Sequence, residues 1–190
     1  MKLVTVQAAA IKSTFEVLKD ILNDVNIYFK PSGMYIVTLD TARTSLIDMH
    51  LPSENFEEYE CEEEIDCGVN MTNMHKLLKT ITVNDILIMS IRSKEHMNIE
   101  IHSEQKKTST KFELKLLDIN ENQIEVPEMH MMVNTPIPSI DFQRICRDMS
   151  NIGDELEIHR GGNILRLVCK GDFANQETEI QCVEECPMMS

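Results

Sequence analysis

The chain repeats one order of secondary structure, and this repeat limits its fold more than any other sequence feature. The motifs KLLK at 76–79 and RICR at 144–147 place two basic pairs 68 residues apart. The aspartates that follow them, Asp85 and Asp154, are 69 residues apart, so the two stretches align with one inserted residue. A period of this size indicates supersecondary modules that bury their apolar faces against one another.

Apolar periodicity predicts three helices, at 8–23, 72–80 and 139–151. We expect Ser139 to cap the third helix and Asp141 to favour its first turn, where the helix dipole is positive. Alternation of apolar and polar residues predicts strands at 97–102, 112–116 and 155–159. The short apolar run at 86–89 suits a buried strand.

The order strand, helix, three strands occurs over 1–57 and over 58–117, and a third copy begins near 133. The expected fold class is α+β, with βαβββ modules whose helices lie on one side of antiparallel sheets. We expect a complete domain at 1–117, a polar connector at 118–134 and the first half of a second domain at 135–190.

The composition excludes several function classes. With 18 Lys and Arg against 32 Asp and Glu, the net charge is −14, unlike that of an ordinary basic nucleic-acid-binding domain. No apolar run is long enough to cross a membrane, and the first residues do not read as a signal peptide. Catalytic motifs are missing and the histidines lack ligand spacing, so we expect no enzyme, no cofactor and no metal. We expect the six cysteines to be reduced thiols, including the close pair Cys182 and Cys186.

The basic residues of the three predicted helices fall in pairs that share one helix face. They are Lys12, Lys19, Lys76, Lys79, Arg144 and Arg147. For one helix, an ordinary solvated face would explain such a pair. The same arrangement on three helices favours a shared basic surface, whereas Lys94 and Lys106 are expected on strand ends and loops away from it.

Several motifs resemble the sliding-clamp family of proliferating cell nuclear antigen, in a cellular or a divergent viral form. The residues FQRICRDMSNIGD at 142–154 are similar to a helix and turn of that family, and CGVNMTNMHKLLK at 67–79 is similar to its second helix. Leu39-Asp40 with Ser45-Leu46, and KLLD at 115–118 leading to IEVPE at 124–128, match its loop and connector. Ser13 stands where the family usually has a second lysine beside Lys12, which lowers the number of positive charges expected on this helix.

The resemblance implies a non-enzymatic DNA polymerase processivity factor. Three subunits would form a ring around duplex DNA without reading its sequence, and the six helix cations would face the phosphates. The implied partners are a DNA polymerase, a clamp loader and other proteins with clamp-binding motifs. The implied cellular location is the nucleus, or a viral replication site in the cytoplasm. Topology would retain the ring, so weak phosphate contacts would suffice despite the negative charge.

The resemblance also implies two protein-binding sites. A cleft for partner peptides would be formed by Leu39, Arg43, Leu46, Ile124, Val126 and Pro127. Subunits would join through the strand at 109–117 and the segment 171–181, with Thr110, Phe112, Leu114, Leu116, Asn175, Glu177 and Glu179 at the contact. Two alternatives remain open at this point: a peptide-binding adaptor that never encircles DNA, and a checkpoint-type clamp subunit that works in a heterotrimer.

Overall fold

The computed structural model describes residues 1–120, 124, 126 and 135–181. It divides into two compact units, Met1–Pro127 and Glu128–Ser190, which we call unit 1 and unit 2. The described residues form an α+β fold in which every strand pairing is antiparallel.

The described residues of unit 1 form two α-helices, a 3-10 helix at Ser53–Asn55 and nine strands. The helices are α1 (Ala8–Ile21) and α2 (Met71–Leu78). The strands are β1 (Lys2–Thr5), β2 (Asp24–Lys30), β3 (Gly33–Leu39), β4 (Leu46–Pro52), β5 (Glu58–Glu60), β6 (Ile65–Asn70), β7 (Ile86–Ser93), β8 (His96–Ser103) and β9 (Thr108–Lys115). Unit 2 contains α3 (Ser139–Ser150), β10 (Leu156–Gly161), β11 (Ile164–Lys170) and β12 (Asn175–Gln181).

The strands of unit 1 form a five-stranded sheet in the order β5-β1-β7-β8-β9 and a four-stranded sheet in the order β4-β3-β2-β6. Between the two sheets, Leu117 N donates to Gly68 O at 2.8 Å and the two residues form an isolated antiparallel bridge. We call this contact the seam. A Cβ on Gly68 would overlap the carbonyl oxygen of Leu117, so only glycine allows the two backbones to approach so closely.

The predicted apolar stripe of α1 forms the centre of the core of unit 1. Ile11, Phe15 and Leu18 are buried, and α1 lies beside α2, whose Met74 and Leu78 are fully buried. Inward residues of the strands, such as Leu87 and Ile99, complete the same cluster. Residues of both modules therefore contribute to one hydrophobic core.

The helix ends differ from the sequence expectations for local reasons. α1 ends at Ile21 because Leu22 adopts extended backbone, and α2 begins at Met71 because the Asn70 side chain caps it, accepting from Asn73 N at 2.9 Å. The prediction that Ser139 caps α3 is wrong. Pro138 occupies the cap position, and Ser139 is the first helical residue.

Unit 2 has a three-stranded sheet in the order β10-β11-β12, on which α3 packs. Its described core consists of Met149, Leu165, Leu167 and Cys169. Residues 135–138 form no strand and residues 133–134 lie outside the described part, so the strand expected to open the third module is not among the described elements.

Candidate nucleic-acid interface and partner cleft

The two lysines of α1 are held by contacts within the chain. Lys12 Nζ donates to the carbonyl oxygen of Ile81 at 2.9 Å, which joins α1 to the segment after α2. Lys19 Nζ lies 2.6 Å from a carboxylate oxygen of Asp20. With Glu16, α1 carries two acids and two lysines, so its own residues give it no net charge.

The lysines of α2 are in a different electrostatic position. Lys76 lies within the helix and Lys79 at its C-cap, and both are exposed. The helix contains no acid, and among the described residues neither lysine has an ion-pair partner; Lys76 Nζ contacts only the amide oxygen of Asn73, at 3.3 Å. Cations at a helix C-terminus complement the dipole. α2 therefore presents the clearest local excess of positive charge among the three helices.

The arginines of α3 belong to unit 2. Arg144 lies 3.4 Å from Asp141, and its side chain remains largely exposed. Arg147 is also exposed and has no ion-pair partner among the described residues, but Asp148 follows it in the chain. Like α1, α3 carries two cations and two acids. Its charge is therefore balanced, although individual side chains are free to contact phosphate.

A surface of this kind can make sequence-independent contacts. Exposed lysine ammonium groups act as point charges toward phosphate oxygens, and no base-reading element is required for such binding. Four of the six predicted cations make hydrogen bonds within the chain, namely Lys12, Lys19, Lys76 and Arg144. Each of these four would need to exchange a partner to reach a phosphate.

Three of the predicted cleft residues line one cavity of about 450 Å³ in unit 1: Leu39, Arg43 and Ile124. The remaining wall comes from residues that the sequence did not assign to the cleft: Leu22–Val25, Thr38, Asp40 and Thr41. Leu46 pairs with Leu39 across β3 and β4, but it does not line this cavity, and neither does Val126. Pro127 lies outside the described residues.

The loop beside this cavity is ordered by Asp40. Its carboxylate accepts hydrogen bonds from Thr44 N at 2.7 Å and from Ser45 N at 2.9 Å. The hydrogen bond from Ser45 is the main reason why the pKa of Asp40 lies below its usual value. Arg43 adopts a left-handed φ of 56° in the same loop, and the Thr41 hydroxyl donates to the carbonyl oxygen of Ile21 at the end of α1. The sequence signal for this loop is the aspartate at its first position, a typical turn residue.

The two strands predicted to join subunits are each at the edge of a sheet. β9 pairs only with β8, and β12 only with β11, among the described elements. Phe112, Leu114 and Leu116 are partly buried against the core of unit 1, and Thr110 is exposed. On β12, Asn175 is exposed, and Glu177 and Glu179 each lie within 3.1 Å of Arg166. Beside these exposed polar side chains, each edge strand has one side that pairs with no other described strand, where backbone amides and carbonyls can accept a further strand.

The described residues include no group of three or more metal-ligating side chains. Within the same residues, no helix is long and apolar enough to cross a membrane. Four free thiols are present, at Cys61, Cys67, Cys146 and Cys169, and burial raises the pKa of Cys67 to about 12. Cys182 and Cys186 lie outside the described residues.

Comparison with known proteins covers almost the whole chain. The model of the proliferating cell nuclear antigen N-terminal domain matches residues 1–124, and that of the C-terminal domain matches residues 124–188. A probable DNA polymerase sliding clamp 1 of Paramecium bursaria Chlorella virus 1 is 42% identical over 182 residues, which is 93% of this chain and 70% of that protein. The proliferating cell nuclear antigen of Chaetomium thermophilum is 28% identical over 170 residues, 89% of this chain and 66% of that protein.

Proposed function

Because this chain belongs to the proliferating cell nuclear antigen family, we propose that it acts as a sliding clamp, a DNA polymerase processivity factor that encircles duplex DNA. The observation that carries the proposal is the match of both family domains, in order, across residues 1–188. The clamp is a non-enzymatic scaffold, working in the nucleus or at a viral replication site.

The clamp is a ring of three copies in which β9 of one subunit pairs with β12 of the next. The edge position of both strands supports this arrangement, because an unpaired edge offers a row of backbone donors and acceptors. The complete ring is strongly acidic, since each copy carries −14. Ring closure rather than affinity keeps it on DNA, and weak phosphate contacts by the helix cations guide sliding.

We propose the same domain limits as the sequence suggests: a first clamp domain at 1–117, a connector at 118–134 and clamp-domain residues at 135–190. The cavity lined by Leu39, Arg43 and Ile124 is the docking site for DNA polymerases, the clamp loader and other proteins with clamp-binding motifs. The cavity combines the apolar side chains of Leu22, Val25, Leu39 and Ile124 with the charged side chains of Asp24, Asp40 and Arg43. It therefore offers a short peptide both apolar contacts and polar groups that can orient it.

Retention on DNA tests the ring directly. The chain is incubated with linear duplex DNA whose ends are either open or blocked by bound protein, and retention is measured after a salt wash. A ring is retained only on the duplex whose ends are blocked, because it slides off open ends. Equal loss from both templates, together with a monomeric mass by light scattering, would contradict the proposal.

Removal of the α2 charges tests the DNA-facing surface. Lys76→Ala with Lys79→Ala should change the free energy of unfolding by no more than about 0.5 kcal/mol, because both side chains are exposed. DNA binding should weaken equally for all sequences, and the salt slope should fall by about one for each phosphate that the variant no longer neutralises. The matched control is Arg92→Ala with Lys94→Ala, two exposed cations at the other end of the five-stranded sheet. A larger effect in the control would contradict a helix-lined hole.

A further inference from the structure

Arg43 supplies the positive charge in the wall of the 450 Å³ cavity, and Asp24 and Asp40 supply its negative charges. The Arg43 side chain is exposed, and it makes no hydrogen bond and no ion pair with any residue that the structure describes. Its guanidinium therefore keeps its N–H donors for a ligand in the cavity. Which ligand these donors favour depends on how far the two carboxylates are already bound.

Asp40 directs its carboxylate into the loop at 40–45. One carboxylate oxygen accepts from Thr44 N at 2.7 Å and from Ser45 N at 2.9 Å, and the other accepts from the Thr44 hydroxyl at 3.2 Å. Arg43 is joined to Asp40 through the backbone, where Arg43 N donates to Asp40 O at 2.9 Å. Both carboxylate oxygens of Asp40 are thus engaged, and they order the loop instead of pairing with the guanidinium.

Asp24, the first residue of β2, is held by the cap residue of α2. Asp24 Oδ1 accepts from Asn70 Nδ2 at 2.7 Å, and the same amide nitrogen lies 3.1 Å from Asn23 Oδ1. Asp24 and Arg43 form no ion pair with each other, although both line the cavity. The cavity therefore has a carboxylate at the start of β2, an unpaired guanidinium on the loop, and apolar side chains such as Leu39 in the same wall.

The backbone at Arg43 is unusual for a residue with a long side chain. Its φ of 56° lies in the left-handed region, which glycine and asparagine adopt more readily than arginine. The loop shape by itself would favour a smaller residue, so an arginine at this position indicates a role for the side chain. A guanidinium suits a carboxylate, which it can bind through two parallel hydrogen bonds.

We propose that Arg43 determines which peptides dock in this cavity, by selecting those that carry an aspartate or glutamate side chain beside their apolar anchors. The inference rests on the proposed docking role of the cavity and names the chemistry of its partners. Leu39, Val25 and Ile124 contact the apolar anchors, and Arg43 binds the carboxylate. Asp24 repels the same carboxylate from the start of β2, so the two charges fix the direction in which the peptide lies.

The test measures the binding of short peptides to the full chain by isothermal titration calorimetry. The peptides are of the clamp-binding type, with fixed aliphatic and aromatic anchors, and glutamate is placed at each other position in turn. Every glutamate peptide has a matched glutamine version and a matched lysine version, and capped ends leave the side chain as its carboxylate. At one position, glutamate should bind about two- to five-fold more tightly than glutamine, as expected for an exposed ion pair. This preference should shrink as the salt concentration rises.

The variants assign the preference to one side chain. Arg43→Gln should abolish it, and Arg43→Lys should retain part of it, because lysine keeps the charge but not the paired donors. The matched control is Arg92→Gln, because Arg92 is an exposed arginine of β7 that lines other cavities. It should leave the preference unchanged. Leu39→Ala is the reference for the docking site and should weaken the glutamate and glutamine peptides by the same factor. Thermal unfolding verifies that each variant is folded.

The outcomes separate the inference from the docking site on which it rests. If Leu39→Ala weakens binding but glutamate and glutamine peptides bind equally at every position, the inference is overturned and the docking proposal stands. A preference that survives Arg43→Gln, or that Arg92→Gln also removes, overturns the inference too. Tighter binding of the lysine versions would overturn it in favour of recognition by Asp24. If no peptide binds, or if Leu39→Ala has no effect, the docking proposal fails and the inference fails with it.

One further peptide distinguishes the source of the carboxylate. It is a glutamine version whose C-terminal carboxylate is left free. If this peptide alone gains affinity through Arg43, the ligand is a chain terminus and the assignment to an acidic side chain is overturned. If the glutamate peptides gain affinity and this peptide does not, the assignment is supported.

Discussion

Units 1 and 2 contain modules of the same kind but bury very different amounts of apolar surface. Among the described residues of unit 1, 24 buried residues from both α-helices and both sheets form its core. The core of unit 2 has four among its described residues. Ile158 on β10 is 58% exposed, Ile140 on α3 is 76% exposed, and Phe173 before β12 is 77% exposed.

The difference shows what a repeated module contributes by itself. One helix on three strands covers only a narrow band, here Met149 against Leu165 and Leu167. In unit 1 a second module lies alongside, and α1 and α2 each cover what the other leaves open. Each large aliphatic side chain that is fully buried contributes about 1.5–3 kcal/mol, so a module gains most of its stability from its neighbour.

A core deletion in unit 1 should have the largest effect. Phe15 is completely buried, so Phe15→Ala should lower the free energy of unfolding by about 3–5 kcal/mol through reduced burial and the cavity left behind. Chemical denaturation monitored by circular dichroism measures the change. As a control, Leu167→Ala removes a fully buried side chain of unit 2 and should leave the exchange protection of unit 1 unchanged. Coupled destabilisation of both units would contradict their independence.

Amide hydrogen exchange should separate the two units in the unmodified chain. We expect the central strands of unit 1, β7 and β8, to be protected about a hundredfold more than β10 and β11, because the smaller core opens at lower free energy. Mass spectrometry of exchanged peptides gives both values in one experiment. Equal protection would mean that unit 2 is stabilised by contacts beyond its described core.

A matched pair of glycines sharpens the comparison at the level of backbone contacts. A Cβ at Gly68 would overlap Leu117 O at the seam, and a Cβ at Gly171 would overlap Ile152 O in unit 2. Gly68→Ala should cost about 1–3 kcal/mol and loosen residues 117–119, and Gly171→Ala should loosen the end of α3 by a similar amount. Thermal unfolding gives the magnitude, and exchange gives the location. Gly161→Ala is the control, because nothing lies within 4 Å of its Cβ position.

The smallest expected effect concerns acid. In unit 1 the pKa of Asp40 is lowered mainly by a backbone hydrogen bond from Ser45, and in unit 2 the pKa of Glu157 is lowered mainly by Lys170. A depressed carboxyl pKa stabilises the fold above the unfolded pKa, which is about 4 for these carboxyl groups, and this contribution disappears as the pH falls below that value and through the depressed folded pKa. Asp40→Asn and Glu157→Gln should each make the melting temperature less dependent on pH in this acidic range.

Salt distinguishes the two causes. Ionic screening should reduce the contribution of Glu157, which comes from an exposed ion pair with Lys170 at 2.6 Å, more than that of Asp40, which comes from backbone amides. An identical salt response of the two variants would contradict this assignment.

The sequence predicted the fold well where periodicity decides the structure. The stripe of α1 was correct because Ile11, Phe15 and Leu18 can share a buried face only on a helix. Phe142 of α3 satisfies the same pattern but is 36% exposed, because burial depends on what packs against the helix. Periodicity also placed Lys76 and Lys79 correctly on an exposed surface.

The sequence predicted the candidate sites less completely, because their contacts join residues far apart in the chain. Nothing local indicates that Lys12 bonds the carbonyl of Ile81, 69 positions away. The sequence of Leu22–Val25 indicates only a core segment and a turn. These residues also line the 450 Å³ cavity, because α1 ends beside the loop at 40–45.

The seam at Gly68 and Leu117 has a mechanical consequence. The ladder between β8 and β9 spans eight residue pairs, whereas the described residues show one backbone bridge between the two sheets of unit 1. The Asn26 amide supports this bridge by donating to Ile119 O at 3.1 Å, and at another edge the Tyr59 hydroxyl of β5 contacts the carbonyl oxygens of Lys30 and Gly33 at 2.8 and 2.7 Å. A tensile load across unit 1 would concentrate on this short junction and on the helices packed over it. The junction would act as a compliant joint between two stiffer plates, and its elasticity would set how far a subunit can bend before a longer ladder has to break.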